Sequence, residues 1–280
     1  MSQLTIEGAG QELTVRLSTL ERVLSSYGKA VVAFSGGVDS SFLAWSAGRV
    51  LSRDSLLCVT ADSPSLASSE LQECKSLMDN WNLEWQVVLT REFENEEYVK
   101  NDGNRCFHCK TELISALQPL ASDFGATILL GVNTDDLGEH RPGQQAALNG
   151  GAKFPLVESG FSKRDVRNAS KLVGLSIWDK PAQACLASRV PYGTPVTINV
   201  LRNIGLAEAE LRNLGFRDVR VRYYGETARI EVGEDELSRA VEFRHKIVSC
   251  LKKSGFDYVT LDLEGFKSGN LNRVLRKIRQ

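Results

Sequence analysis

The sequence predicts an α/β fold: a parallel sheet covered by helices, followed by a small α+β unit. Three observations predict it. Short, fully apolar runs alternate with amphipathic helical patterns through the first part of the chain. A glycine turn, Ser35-Gly36-Gly37, joins one such run directly to a helical start. After Pro181 the alternation gives way to helix–strand–strand–helix–strand.

The elements follow in order. Leu13, Leu17, Leu20 and Leu24 recur at helical spacing and give an amphipathic opening helix. Ala30-Val31-Val32-Ala33-Phe34 reads as a buried strand, and a helix runs over 40–51. Ser55 to Thr60 is a second strand, Leu66 to Trp81 a helix, and Glu84 to Leu89 a third strand. Thr111 to Ala121 is helical, and Thr127 to Gly131 is a fourth strand. Strands this short and apolar, separated by helices, belong to a parallel sheet with both faces covered. A ligand of such a sheet lies beyond the C-terminal strand ends, where the glycine turn sits. Leu130 to Pro155 reads as a long irregular loop, a length that marks function or disorder in a compact domain. Ala182 to Pro195 holds two prolines, a glycine and a cysteine, and reads as a linker or site loop. Ile198 to Leu214 is helical, 218–224 and 227–232 are strands around Gly225, Glu234 to Lys253 is helical, and Tyr258 to Leu263 is a last strand. The basic end, Lys267 to Gln280, reads as a helix or a free tail. The change of pattern puts a boundary near 186–195, with expected domains 1–188 and 189–280.

Composition narrows the function classes. The chain has 280 residues, room for about two domains. Apolar content of 42% and charged content of 25% are those of a globular protein. The 34 basic and 35 acidic residues leave a formal charge of −1, which gives no reason to expect a nucleic-acid partner. Met1 to Gly10 has no basic n-region and no apolar h-region, and no apolar run reaches membrane-spanning length. A cytoplasmic protein with no membrane partner is therefore expected. Its six cysteines then read as reduced thiols, metal ligands or nucleophiles rather than disulfides.

The most informative stretch is Ser35-Gly36-Gly37-Val38-Asp39-Ser40-Ser41. Strand, glycine turn and helix N-terminus make a phosphate-binding geometry, because glycines admit the anion and free N–H groups point at it. There is no Gly-Lys-Ser/Thr ending, so this is not a Walker A loop. An ordinary capped turn is the alternative, but the residue types and their strand–helix context agree on a phosphate loop. The pattern Ser-Gly-Gly-x-Asp-Ser resembles the PP-loop of ATP pyrophosphatases. That resemblance implies an adenine nucleotide α-hydrolase-like, Rossmann-type first domain. It also implies ATP cleavage between the α and β phosphates to adenylylate a substrate. Ser35, Gly36, Gly37, Asp39 and Ser40 would surround ATP, with Asp39 on the Mg²⁺ side. Gly131, at the end of the fourth strand, joins this nucleotide-binding set.

Cys106-Phe107-His108-Cys109 is a C-x₂-C read within a short loop, preceded by Asn101-Asp102-Gly103-Asn104. The spacing alone is compatible with zinc, an iron–sulfur cluster or a redox pair. Cys185 stands apart from any apolar element. Cys58 sits in an apolar strand, and Cys74 and Cys250 lie in helical patterns, as small buried hydrophobes do. Farther on, Val219, Val221 and Tyr223 alternate with Arg220 and Arg222, and Ala228, Ile230 and Val232 with Arg229 and Glu231. Spacing alone favours a solvated sheet face with an Arg–Glu pair; the rival reading is an anion site, since guanidinium groups fork onto phosphate.

A more specific likeness begins at Lys180-Pro181-Ala182-x-x-Cys185-Leu186-Ala187-Ser188-Arg189-Val190-Pro191-Tyr192-Gly193-Thr194. This stretch resembles the cysteine loop of the LarE family. Asn133-x-Asp135-Asp136, Arg141-Pro142-Gly143, Val219-Arg220-Val221-Arg222, Ala228-Arg229-Ile230-Glu231 and Tyr258-Val259-Thr260-Leu261-Asp262-Leu263 are similar to that family too. The likeness covers nearly the whole chain. It departs at Glu139-His140, where an acid followed by an aromatic is the family pattern.

The resemblance implies an ATP-dependent sulfurtransferase of nickel-pincer nucleotide cofactor biosynthesis. Its substrate would be a small mononucleotide, pyridinium-3,5-biscarboxylic acid mononucleotide, whose carboxylates are adenylylated and then converted to thiocarboxylates. Cys106, Cys109 and Cys185 match the branch in which three cysteines hold a 4Fe–4S cluster, act as the catalytic set with Asp39, and pass on sulfide from a sulfur donor. The other branch sacrifices the sulfur of one cysteine, here Cys185. Arg189, Arg220, Arg222, Arg229 and Glu231 would form the substrate site, and a homo-oligomer built on trimers is implied. Two rivals remain: a PP-loop tRNA thiolase, which the charge balance disfavours, and a nucleotide-binding regulatory protein with structural zinc at Cys106 and Cys109.

Overall fold

The computed structural model describes residues 4–138, 142–181 and 184–267. These form two compact units. One draws on Met1–Ser63, Ser68–Glu92 and Cys106–Gln183, the other on Pro64–Ala67, Phe93–Arg105 and Ala184–Gln280.

In the first unit the elements run α1 (Gln11–Tyr27), β1 (Ala30–Ala33), α2 (Val38–Val50), β2 (Leu56–Asp62), α3 (Ser68–Trp81) and β3 (Trp85–Leu89). After α4 (Glu96–Val99), which belongs to the second unit, come α5 (Arg105–Phe124), β4 (Thr127–Leu130), α6 (Pro142–Asn149), α7 (Pro155–Glu158) and α8 (Lys163–Leu172). The four strands make a parallel sheet in the order β3-β2-β1-β4. Its pleat sorts side chains by period two. Ala30, Val32, Leu56, Cys58 and Leu129 enter the core beneath α1, α2 and α8. Val31, Val59, Ile128 and Leu130 enter a second core with Ile114, Leu117 and Ala121 of α5. The chain leaves β1 for β2 on one side and returns as β4 on the other, so the order reverses between β1 and β4. That switch point leaves a crevice at the C-terminal strand ends, and the glycine turn opens into it.

Two expectations are corrected here. The C-x₂-C does not lie in a loop: α5 begins at Arg105, so Cys106 and Cys109 occupy its first turn. The cause is an Asx turn, in which Asn104 N–H donates to Asp102 Oδ1 at 2.7 Å and starts the helix early. The stretch 130–155 is also not one irregular loop, since it carries a 3₁₀ turn at Thr134–Gly138 and then α6. Residues 139–141, 182–183 and the basic tail beyond Lys267 fall outside the described residues.

The second unit contains α9 (Ile198–Asn213), β5 (Val219–Tyr224), β6 (Thr227–Val232), α10 (Leu237–Glu242), α11 (Arg244–Lys253) and β7 (Tyr258–Leu261). β5 and β6 form an antiparallel hairpin and β7 adds parallel to β6. Leu201, Ile204, Ala207 and Leu211 of α9, Ile247 and Leu251 of α11, and Val219, Val221, Ala228, Ile230 and Val232 of the strands are its buried apolar side chains. Among the described residues no helix is long and apolar enough to cross a membrane.

Candidate active site

The glycine turn is held rigidly. Gly36 has φ 67°, the left-handed region, and a Cβ there would come within 2.9 Å of Cys74 Sγ. Ser40 Oγ donates to Gly37 O at 3.1 Å and accepts from the Ser35 N–H at 3.2 Å, closing the loop over the start of α2. Lys180 Nζ donates to Gly36 O at 3.0 Å and to Glu73 at 2.7 Å, which fixes the outer side of the turn. Gly131 follows β4, and a Cβ there would lie 2.6 Å from Ser40 N and 2.8 Å from Asp39 C. Only glycine lets the two strand ends close on the α2 N-terminus.

Asp39 is the carboxylate inside the turn. Asn133 Nδ2 donates to its Oδ1 at 3.1 Å, and Lys163 Nζ pairs with Oδ2. Lys163 is the first residue of α8, and its own N–H donates to Asp135 Oδ2 at 2.9 Å. Asp135 N–H in turn donates to Asn133 Oδ1 at 3.0 Å. The Asn133-x-Asp135-Asp136 segment thus links the glycine turn to α8. Sequence reasoning missed Lys163. The usable signal was the capping box of Ser162 and Asp165, which marks a helix start and so places the next side chain.

The arginine face of the second unit is not solvated, which corrects the reading that spacing favoured. Arg222 is 5% exposed, Arg220 7% and Arg189 2%, while Glu231 is fully buried. Arg222 donates to Glu231 at 2.7 and 3.0 Å, and Arg229 to the other carboxylate oxygen at 3.0 Å. Arg189 pairs in forked geometry with Glu208 of α9 at 2.8 and 3.0 Å, and its Nη1 also donates to Cys185 O at 3.0 Å. Glu208 takes the Val221 N–H at 3.1 Å as well. Burial alone would raise Glu208, but the charge and hydrogen bonds of Arg189, then Arg220 and Arg212, hold it below its ordinary value. Arg220 is pulled down to about 10, by burial first and then by Arg189, Arg212 and Arg222 against the opposing pull of Glu208. Glu208 was also missed, although it falls on the apolar stripe of α9, where an acid demands a partner.

Cys185 is exposed and caps the 3₁₀ turn Leu186–Arg189. That loop is stitched down by Asn101, whose side chain donates to Pro191 O at 2.9 Å and Thr194 O at 2.8 Å. Cys106 is exposed and Cys109 partly so, three residues apart on one face of α5. Among the described residues no three His, Cys, Asp or Glu side chains are grouped to hold a metal ion.

No family model matches the chain. It is 43% identical over 268 residues to an uncharacterised protein of Synechocystis sp., covering 95% of this chain and 100% of that one. It is 28% identical over 241 residues to an uncharacterised protein of Methanocaldococcus jannaschii, 86% of this chain and 91% of that one. It is 35% identical over 267 residues to the pyridinium-3,5-bisthiocarboxylic acid mononucleotide synthase of Lactiplantibacillus plantarum, 95% of this chain and 96% of that one. With a phosphate-loop sheet, a cysteine loop and a buried arginine site in one chain, and that degree of identity along its length, the protein belongs to the LarE family.

Proposed function

We propose that this enzyme is an ATP-dependent sulfurtransferase that converts the carboxylates of pyridinium-3,5-biscarboxylic acid mononucleotide to thiocarboxylates, in nickel-pincer nucleotide cofactor biosynthesis. The observation that carries the reading is the phosphate turn at the switch point, with Asp39 held inside it by Asn133 and Lys163.

ATP lies on Ser35, Gly36, Gly37, Asp39, Ser40 and Gly131, its phosphates facing the loop amides. Mg²⁺ fits this donor set: Asp39 offers a partly exposed carboxylate beside those amides, and the ion would neutralise phosphate charge there. A substrate carboxylate oxygen attacks the α-phosphorus, and the α–β bridging bond breaks as pyrophosphate leaves. The loop amides offset the charge that grows on the leaving group. The acyl-AMP so formed is a far better electrophile than a carboxylate. A hydrosulfide nucleophile adds to its carbonyl carbon, loses its proton, and AMP departs with the bonding pair.

Arg189, Arg220, Arg222 and Arg229, with Glu231 orienting Arg222 and Arg229, hold the substrate phosphate. Cys106, Cys109 and Cys185 would hold a 4Fe–4S cluster. Thiolate donors suit iron, and Cys106 and Cys185 are exposed residues while Cys109 is partly exposed. When bound, that cluster supplies sulfide from a donor. A cytoplasmic setting, where ATP is supplied and thiols stay reduced, and a homo-oligomeric state are part of this proposal.

Asp39→Asn tests the reading. The variant keeps the shape of the carboxylate but not its charge, and it should lose substrate-dependent pyrophosphate release by about a hundredfold or more while unfolding in urea near the wild-type midpoint. Wild-type turnover in that variant rejects adenylylation at this loop.

A further inference from the structure

Asp39 presents two carboxylate oxygens, and both are engaged within the first unit: Oδ1 by Asn133 and Oδ2 by the ammonium of Lys163. A divalent cation that bridges ATP phosphates needs one of those oxygens. Asn133 brings no charge, so it competes little. Lys163 brings a full positive charge, and its side chain is one-third exposed, at 33%, against 18% for Asp39. The pair is therefore open on one side and exchangeable. Lys180, the other lysine on the turn, is differently placed: it is 12% exposed and holds a backbone carbonyl and Glu73.

From this geometry, and resting on the ATP-dependent reading above, we infer that Lys163 competes with the divalent cation for Asp39 and, once displaced, pairs with the departing pyrophosphate. Lys163 is thus both the local counter-charge of Asp39 and a cation delivered to the leaving group. The backbone is arranged for such a handover. The N–H of Lys163 is fixed on Asp135, and α8 starts on the Ser162–Asp165 capping box, so its Cα stays in place while the side chain changes partner. Arg16 braces the same turn through Asp165 at 3.0 Å. None of these contacts uses the Lys163 side chain, so Lys163→Met retains the helix start and folds.

The two halves of the inference move two affinities in opposite directions. In protein without nucleotide, Lys163→Met should bind Mn²⁺ about three- to tenfold more tightly than wild type, measured by the signal of free Mn²⁺ in electron paramagnetic resonance. In the absence of metal it should bind pyrophosphate about tenfold or more weakly, measured by calorimetry. Lys163→Arg, which keeps charge and pair, should hold the Mn²⁺ affinity within about twofold of wild type. An unchanged Mn²⁺ affinity in Lys163→Met overturns the inference, and so does a parallel fall in both affinities. If wild type releases pyrophosphate with substrate while Lys163→Met keeps wild-type Mn²⁺ affinity, only this inference falls. If wild type binds neither Mn²⁺ nor pyrophosphate, the adenylylation reading falls with it.

Discussion

The six cysteines divide by environment, and the division has measurable consequences. Cys58 lies in β2 with no exposure, and burial pushes its thiol up to about 12. Cys74 is pushed up to about 11 by burial, against a hydrogen bond with Thr60 and the charge of Lys180. Cys106 and Cys185 are exposed. Thiolates, not thiols, react with alkylating agents, so Cys58 and Cys74 are inert in the native protein at neutral pH. The raised values also set a pH dependence. In the unfolded chain these thiols ionise near pH 9; in the folded protein they keep their protons well above it. The unfolded state therefore holds fewer protons in that window, and stability must fall as pH rises. Each thiol removes about 1.4 kcal/mol per pH unit above pH 9, until its folded value is reached. Urea unfolding at pH 8 and pH 10 should show this loss in wild type. Cys58→Ala should be less stable at pH 8 but should lose roughly half of the further decline at pH 10. An equal decline in both proteins would mean that Cys58 is not buried as a thiol.

The glycine turn, the β4 end and the α8 start are linked through Asp39, Asn133, Asp135 and Lys163, and Gly131 is where the β4 end meets the turn. Gly131→Ala puts a methyl carbon against backbone atoms of Asp39 and Ser40, which cannot rotate away as a side chain could. The α2 N-terminus must shift, at a cost of about 1–3 kcal/mol. Pyrophosphate affinity should fall with the loss of stability; calorimetry that finds the affinity intact would show that the turn tolerates the shift. Much of this assembly was legible in the sequence. β1, β2 and β4 were readable as short, mainly apolar runs and β3 as a run of Trp, Val and Leu interrupted by Gln86, and the turn because its glycines fall between strand and helix. α8 was not readable: it buries only Val166, Ala169 and Ser170, too weak an apolar stripe among charged residues. The capping box of Ser162 and Asp165 marked where α8 starts, but nothing local pointed from Lys163 to a partner 124 positions earlier. The early start of α5 depended on an Asx turn that resembles an ordinary polar loop in sequence. The arginine strands showed their alternation but not their burial. Period two tells which residues share a face; it does not tell what covers it, and here Glu208 and the Arg189 loop lie against the charged groups.

For the chain as a whole, the open chemical question is where the sulfur originates, and the answer is written in the mass of the protein after turnover. The formal charge of −1 and the match to a synthase along 95% of the chain favour a small-molecule substrate over RNA. A thiocarboxylate then takes its sulfur either from an incoming sulfide or from a cysteine of the chain. In the first case Cys106, Cys109 and Cys185 serve as ligands and survive. Protein reconstituted without oxygen should be brown, with about four irons per chain. Cys106→Ala, Cys109→Ala and Cys185→Ala should each lose iron and sulfur transfer together, because removing one of three thiolates weakens the hold of the other two. Cys58→Ala, Cys74→Ala and Cys250→Ala should keep both, since these thiols are buried or half-buried within the units' own elements. Intact mass before and after turnover should be identical. A loss of about 34 Da at Cys185 would correspond to removal of its sulfur as H₂S, leaving dehydroalanine. That result would make Cys185 the consumed donor, and the paired thiols on the first turn of α5 would then need a role of their own.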